Sequence, residues 1–214
     1  MENFIRNLIA EKFQCPKFQA KIKSELPKLF LIAELESSRG GKAGMQAGSV
    51  RETIIIAILM HEFGKSNIDG ENPITTKEKD VVVFGEEISI KTKTGLSYSG
   101  IKIVWTNDLE QVRKFIKNYK PSTSLIFVQI NWGSTGFLHY IPLEVQNDIF
   151  SNLNINNYLR PPPLGKNGRG IEITSKALKL LVNDPRTIKI PIEFPSKDSM
   201  EINPFERWIE LLSD

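Results

Sequence analysis

Asp80 and Lys91 bracket the stretch Asp80-Val-Val-Val-Phe-Gly-Glu-Glu-Ile-Ser-Ile-Lys91. The acid enters one run of β-branched residues, the lysine leaves the next, and Gly85 lies between them as a turn residue. The spacing predicts a hairpin with strands over 81–84 and 88–92, carrying a carboxylate and an ammonium to one sheet edge. Those two groups are the minimum for holding a divalent cation and a water beside a phosphate. Each also has an ordinary reading. Asp80 can end a polar loop, and Lys91 can be a solvent-facing lysine that alternates with Lys93. Glu86 and Glu87, at the turn, are expected to be solvated.

The elements that must position this pair follow from periodicity. Phe4, Leu8, Ile9 and Phe13 fall at helical spacing, with Pro16 and Pro27 expected to break the run and 28–36 to resume it. Residues 37–48 read as a loop of small residues. A helix capped by Ser49 is predicted over 49–63, then a long polar loop over 64–79. After the hairpin come a third strand over 100–106, an amphipathic helix over 108–119, a buried strand over 125–131, a short strand over 136–141 and a short helix over 143–150. The first three strands suit an antiparallel meander, and the helix after them lets the next strand run parallel to a neighbour. Further on, 160–170 is an irregular basic loop with three prolines. Residues 174–182 make a helix expected to bury Ala177, Leu178 and Leu181 and to turn Lys176 and Lys179 outward. Residues 205–212 read as a packing helix.

This order resembles the core of the PD-(D/E)xK nuclease superfamily, and specifically its type II restriction endonucleases. Asp80 matches the family's first acid, Lys91 its lysine and Glu52, in Ser49-Val-Arg-Glu52, the glutamate of the preceding helix. Ser89 stands where family members usually carry Asp or Glu, and no Pro-Asp pair precedes the hairpin, so Glu52 must supply the missing charge. The resemblance implies an α/β fold with an α-β-β-β-α-β mixed sheet, a helical amino-terminal segment and a basic carboxy-terminal addition. It implies one restriction-endonuclease domain over 1–214, divided into a helical arm with a Gly/Met loop (1–48), a catalytic core (49–150) and a basic DNA-binding and packing extension (151–214). It further implies magnesium held by Asp80, Glu52 and the backbone carbonyl of Ile90, and Lys91 as the catalytic lysine. The expected activity is hydrolysis of double-stranded DNA at a short palindrome, CGCG, cut blunt to leave 5′-phosphate ends. A homodimer and a cognate DNA methyltransferase are the expected partners. Whether one or two metals take part is left open.

Physical chemistry supports the same assignment. Magnesium prefers oxygen ligands, typically one or two carboxylates with phosphate and waters, which Asp80 and Glu52 can supply. A lysine at position 91 can orient the attacking water or stabilise developing phosphate charge. Ser89 shares the strand face of Lys91 and is an accessory candidate for holding a water. Lys93 shares that face too and competes with Lys91. Against a catalytic Glu52 stands the capping box Ser49-x-x-Glu52, in which the glutamate reaches back to the Ser49 amide.

Two further segments invite contact with DNA. The loop from Arg39 to Gly48 carries Met45, which either packs on the body of the protein or acts as an apolar wedge at a base step. Gln46 can accept from the guanine minor-groove amino group, and Arg39 and Lys42 can reach phosphates. A phosphate-binding P-loop is excluded, since Lys42 is followed by Ala43 rather than Ser or Thr. In the basic loop, Lys166, Asn167 and Arg169 sit between glycines after the prolines, either to meet DNA or as plain surface. Residues 151–190 hold seven basic residues against Glu172 and Asp184, a surplus of +5 that makes this third a basic surface.

Composition excludes other classes. No apolar run approaches the ~18 residues that span a bilayer, and the start Met1-Glu2-Asn3-Phe4 lacks a signal peptide's pattern, so a cytoplasmic protein is expected. A single Cys15 allows no internal disulfide, and with His61 and His139 alone beside it a structural zinc site is not expected. Both histidines read as structural. Two alternatives stay open: a structure-specific or repair nuclease of the same superfamily, and a non-catalytic DNA-binding protein.

Overall fold

In the computed structural model, which describes residues 2–39, 45–70, 79–104, 108–162, 170–199, 205, 209 and 212, the chain opens with three helices, α1 (Glu2–Gln14), α2 (Pro16–Arg39) and α3 (Met45–Phe63). Pro16 separates the first two as expected. Pro27 does not break α2 but lies inside it. An internal proline costs a hydrogen bond and a steric clash, and here Leu26, Phe30 and Leu31, all fully buried around it, hold the helix together. The third helix begins four residues before Ser49, so Ser49 is an interior position and cannot cap it.

Residues read as one polar loop hold a 3-10 turn (Lys65–Asn67) and strand β1 (Ile68–Asp69). The hairpin follows as β2 (Val81–Val83) and β3 (Glu86–Thr94). Its two turn residues, Phe84 and Gly85, have φ of 51° and 87°. That left-handed pair matches the twist of the flanking strands, at some cost for a phenylalanine. Then come β4 (Lys102–Val104), α4 (Leu109–Asn118), β5 (Ser124–Ile130), β6 (Thr135–Ile141), α5 (Leu143–Leu153), α6 (Ile155–Tyr158), β7 (Leu159–Arg160), β8 (Ile171–Ile173), α7 (Ser175–Asn183) and β9 (Ile188–Glu193).

The architecture is mixed α/β. The main sheet has the order β1-β2-β3-β5-β6-β9, with β3 and β5 parallel and the other pairs antiparallel. The expected antiparallel meander of the first three strands is not what forms. The third, β4, leaves the sheet and pairs with β8 in a small second sheet, β4-β8-β7. The place beside β2 goes instead to β1. The helix α4 then crosses over and delivers β5 parallel to β3, as its position predicts.

All seven residues of β5 are buried, because this strand is covered on both faces. On one face Ile88, Ile90, Ile126, Val128 and Tyr140 pack under the first three helices. On the other, Leu125, Phe127 and Ile141 pack with α4, α5 and α7. Gly136 is required by this packing: a Cβ there would run into the Gln129 carbonyl and sit 2.7 Å from the Phe194 ring. No helix of the described residues is long and apolar enough to cross a membrane.

Several charges differ from expectation. Glu86 is buried rather than solvated, because Arg6 of α1 donates to it at 2.7 Å; Glu87 is exposed. In the basic third, Arg160 pairs with Glu172, and Arg186 pairs with Asp148 at 2.6 Å and Asp184 at 2.9 Å. Lys176 and Lys179 remain exposed on α7, which buries Ala177, Leu178 and Leu181. Phe205, Ile209 and Leu212, expected to pack, are exposed.

Candidate active site

Strands β2 and β3 part at Asp80. The Asp80 amide donates to the Ile88 carbonyl at 3.1 Å, but past that point β3 has no further backbone partner on β2. Asp80 fills the gap with its side chain. Its Oδ2 accepts from the Ile90 amide at 2.6 Å, the Lys91 Nζ at 2.8 Å and the Ser89 hydroxyl at 3.1 Å. The N–H and C=O of a strand residue point to the same side, so the Ile90 carbonyl also faces the Asp80 edge.

Glu52 reaches this edge from α3. Its carboxyl is pushed up to about 7, first by burial, with the positive Lys91 opposing the shift and the negative Asp80 adding to it. Glu52 thus lies within electrostatic reach of Lys91 and Asp80, whose own side chains are only 18% and 24% exposed. Because Ser49 lies inside α3, the capping box that rivalled a catalytic Glu52 does not form.

The competing lysine is placed elsewhere. Lys93 Nζ donates to the backbone carbonyl and, at 3.4 Å, to the hydroxyl of Ser99, so it ties down the loop after β3. Burial lowers its pKa, against the pull of Glu172. Among the described residues, no three His, Cys, Asp or Glu side chains group closely enough to hold a metal. The available oxygens are instead two carboxylates and a carbonyl, a set that suits a hard cation completed by phosphate and water.

Of the predicted DNA contacts, Lys42, Lys166, Asn167 and Arg169 lie outside the described residues. Arg39 ends α2 and Met45 and Gln46 begin α3, while their side chains also lie outside what is described. The two histidines are away from the site. His61 is exposed beside Lys21 at 2.7 Å. His139 is buried and donates from Nε2 to Gln129 Oε1 at 3.2 Å.

Sequence reasoning missed the neighbour of Glu52. Arg51 is 6% exposed and its guanidinium pairs with Glu34 of α2, which also accepts from Lys197. Although burial opposes it, Lys197 and Arg51 hold the Glu34 carboxyl below the usual range. The cluster ties α2 and the segment after β9 to the turn of α3 that carries Glu52. Only the residue types hinted at it, since the partners are far apart in sequence.

The family model of restriction endonuclease ThaI matches residues 13–214. The chain belongs to the ThaI restriction endonuclease family. It is accordingly a type II site-specific deoxyribonuclease, and the repair-nuclease and non-catalytic alternatives fall away. The ThaI-family enzyme is similar to a solved structure described as "Restriction endonuclease in complex with substrate DNA", with a TM-score of 0.86 and 42% identity, covering 96% of this chain and 98% of that one. No curated protein matches the chain. The candidate site of this ThaI-family enzyme thus sits on a fold similar to that of a restriction endonuclease.

Proposed function

We propose that this endonuclease uses magnesium, Asp80, Glu52 and Lys91 to hydrolyse both strands of a short DNA palindrome. The observation that carries the reading is the convergence on Asp80 of the Ile90 amide and the Lys91 ammonium, with Glu52 close enough to feel both charges. The residues fit the cation: a carboxyl raised first by burial and further by the negative Asp80 is an arrangement that a divalent ion relieves. Asp80, Glu52 and the Ile90 carbonyl would hold it. Bound there, magnesium supplies Lewis-acid activation of water and phosphate.

The chain's own groups do the rest. The Ser89 hydroxyl and Ile90 amide fix the orientation of the Asp80 carboxylate. The Lys91 ammonium orients the attacking water and offsets charge that develops on the phosphate. The products carry 5′-phosphate and 3′-hydroxyl ends. The similar endonuclease solved with substrate DNA supports DNA as the substrate.

A palindrome is matched by two-fold protein symmetry, so the active form is a homodimer. The target is CGCG, cut blunt, a reading that rests on family resemblance. Met45 and Gln46 meet the bases, with Arg39, Lys42, Lys166, Asn167 and Arg169 contributing further contacts. The enzyme works in the cytoplasm beside a cognate methyltransferase that protects the host's sites. Digestion of a plasmid with magnesium or with chelator tests the reading. Discrete fragments, dependent on magnesium and ending blunt within CGCG, are expected; a chelator-resistant digest or ends at unrelated sequences would overturn it.

A further inference from the structure

Helix α4 carries a face that the catalytic site does not use. Arg113, Lys114 and Lys117 are exposed on it, and Lys120 is exposed just after its end. Residues 113–120 hold these four cations and no acid, while the exposed Glu110 stands three and four residues before Arg113 and Lys114 on the same face. Positions 113, 117 and 120 recur at helical spacing, with 114 beside them. The opposite side, with Val112, Phe115, Ile116 and Tyr119, is packed into the core under the second sheet face.

Several cations elsewhere in the fold are neutralised. Arg6, Lys12, Lys21, Arg51, Arg160, Arg186 and Lys197 all pair with carboxylates. Among the described residues, no ion pair engages Arg113, Lys114, Lys117 or Lys120. Cations in a last helical turn are favoured by the helix dipole within that turn, which accounts for Lys117 and Lys120. It does not account for Arg113 and Lys114, which lie further upstream.

Position gives the row a meaning. The chain leaves α4 to enter β5 at Ser124, which pairs with Ile88 at the start of β3. At this end Tyr119 and the exposed Ser122 line the same recess as Ser89 and Lys91. The cationic row therefore ends, at Lys120, next to the Tyr119 wall of that recess. From Arg113 to Lys120 it covers about 10 Å, roughly three phosphates of one strand at ~3.4 Å of helix axis each.

We propose that this face of α4 is a phosphate-binding ridge, along which the DNA backbone runs as it leaves the cleavage site. The inference rests on the proposed function, because it takes duplex DNA as the occupant of the site. Cations that meet phosphates add affinity without adding sequence preference, so the ridge serves cognate and random duplex alike.

The test is duplex binding by fluorescence anisotropy in chelator, over a range of salt, for the full chain and for the variant Arg113→Gln/Lys114→Gln/Lys117→Gln/Lys120→Gln. Each phosphate contact contributes about 0.9 to the slope of log affinity against log salt. The variant's slope is expected to be shallower by about 2 to 4, with equal fold losses on cognate and random duplex. Should the quadruple variant melt early, Lys117→Gln/Lys120→Gln is read instead, with an expected change of about 1 to 2. A wild-type slope in either folded variant removes the ridge and leaves the proposed function standing. Failure of the unaltered protein to bind duplex removes both. A change in sedimentation of the variant without a change in slope assigns the face to self-association and overturns the proposal.

Discussion

The Asp80 carboxylate stands in for a neighbouring strand: its Oδ2 accepts the Ile90 amide at 2.6 Å, where β2 has already ended at Val81. A hydrogen bond to a charged acceptor is worth more than one to a carbonyl, so the Ile90 amide is well satisfied although β2 does not reach it. The same bond orients the acid beside the ammonium of the next residue, Lys91, at 2.8 Å. One side chain thus ends a hairpin and builds a site.

Ser89 and the two lysines separate by chemistry. Ser89→Ala removes one donor from Asp80 and is expected to slow cleavage about tenfold, in line with the ~1.5–3 kcal/mol of a hydrogen bond to a charged group discounted for the two that remain. Lys91→Ala is expected to lower kcat about 10²- to 10³-fold, whereas Lys93→Ala, which frees only the Ser99 tether, has a smaller effect. Single-turnover cleavage of a duplex ranks the three, and a Lys93 variant slower than the Lys91 variant would reverse the assignment.

His139 makes stability depend on pH. Its pKa is lowered to about 3, first by burial and then by the nearby Lys189. The unfolded chain titrates near 6.5, so between these values the unfolded state binds the extra proton. Stability is therefore full above about pH 6.5 and declines as the pH falls towards 3. Between pH 7 and pH 5 the loss from this residue is about 2 kcal/mol. Urea unfolding of the wild type and of His139→Gln at both pH values measures it; parallel pH dependences in the two proteins would show that His139 is not held neutral.

Much of this arrangement was legible in the sequence, and the failures have physical causes. The hairpin, α4 and β5 announced themselves through β-branched runs, a Phe-Gly turn and a clean apolar stripe. The start of α3 was misread because Gly44, Gly48 and two alanines look like loop composition, although the chain from Met45 is helical. The strand β9, Ile-Lys-Ile-Pro-Ile-Glu, was not anticipated, and Pro191 within it is a residue that strands rarely carry. It is tolerated there because β9 is the edge of its sheet. The departure of β4 to pair with β8, and the burial of Glu86 by Arg6, depend on partners about 70 and 80 residues away, which local patterns do not reveal.

Gly136 is a sharp check on the sheet's packing. Gly136→Ala would press a methyl onto the Gln129 carbonyl and the Phe194 ring. Overpacking of this kind costs about 1–3 kcal/mol, and the upper end is expected because the nearest atom is backbone. A melting temperature equal to that of the wild type would mean that β5 and β6 do not meet in this register.

Arg51 links stability to the site. Arg51→Met leaves Glu34 with Lys197 alone and is expected to cost about 2–3 kcal/mol, somewhat less than the loss of an isolated buried pair. Because Arg51 adjoins Glu52, cleavage should also need more magnesium for half-maximal rate. Chemical denaturation and a magnesium titration read the two effects, and a variant as stable as the wild type would place Arg51 in solvent.

The most direct measurement is cleavage and binding, side by side, for the wild type, Asp80→Asn, Glu52→Gln and Lys91→Ala. Each variant is expected to cut a duplex in magnesium at least about 10²-fold more slowly while binding it within a few fold of wild type. Cleavage at the wild-type rate by the Asp80 or Lys91 variant would contradict the assignment of the site to this strand edge.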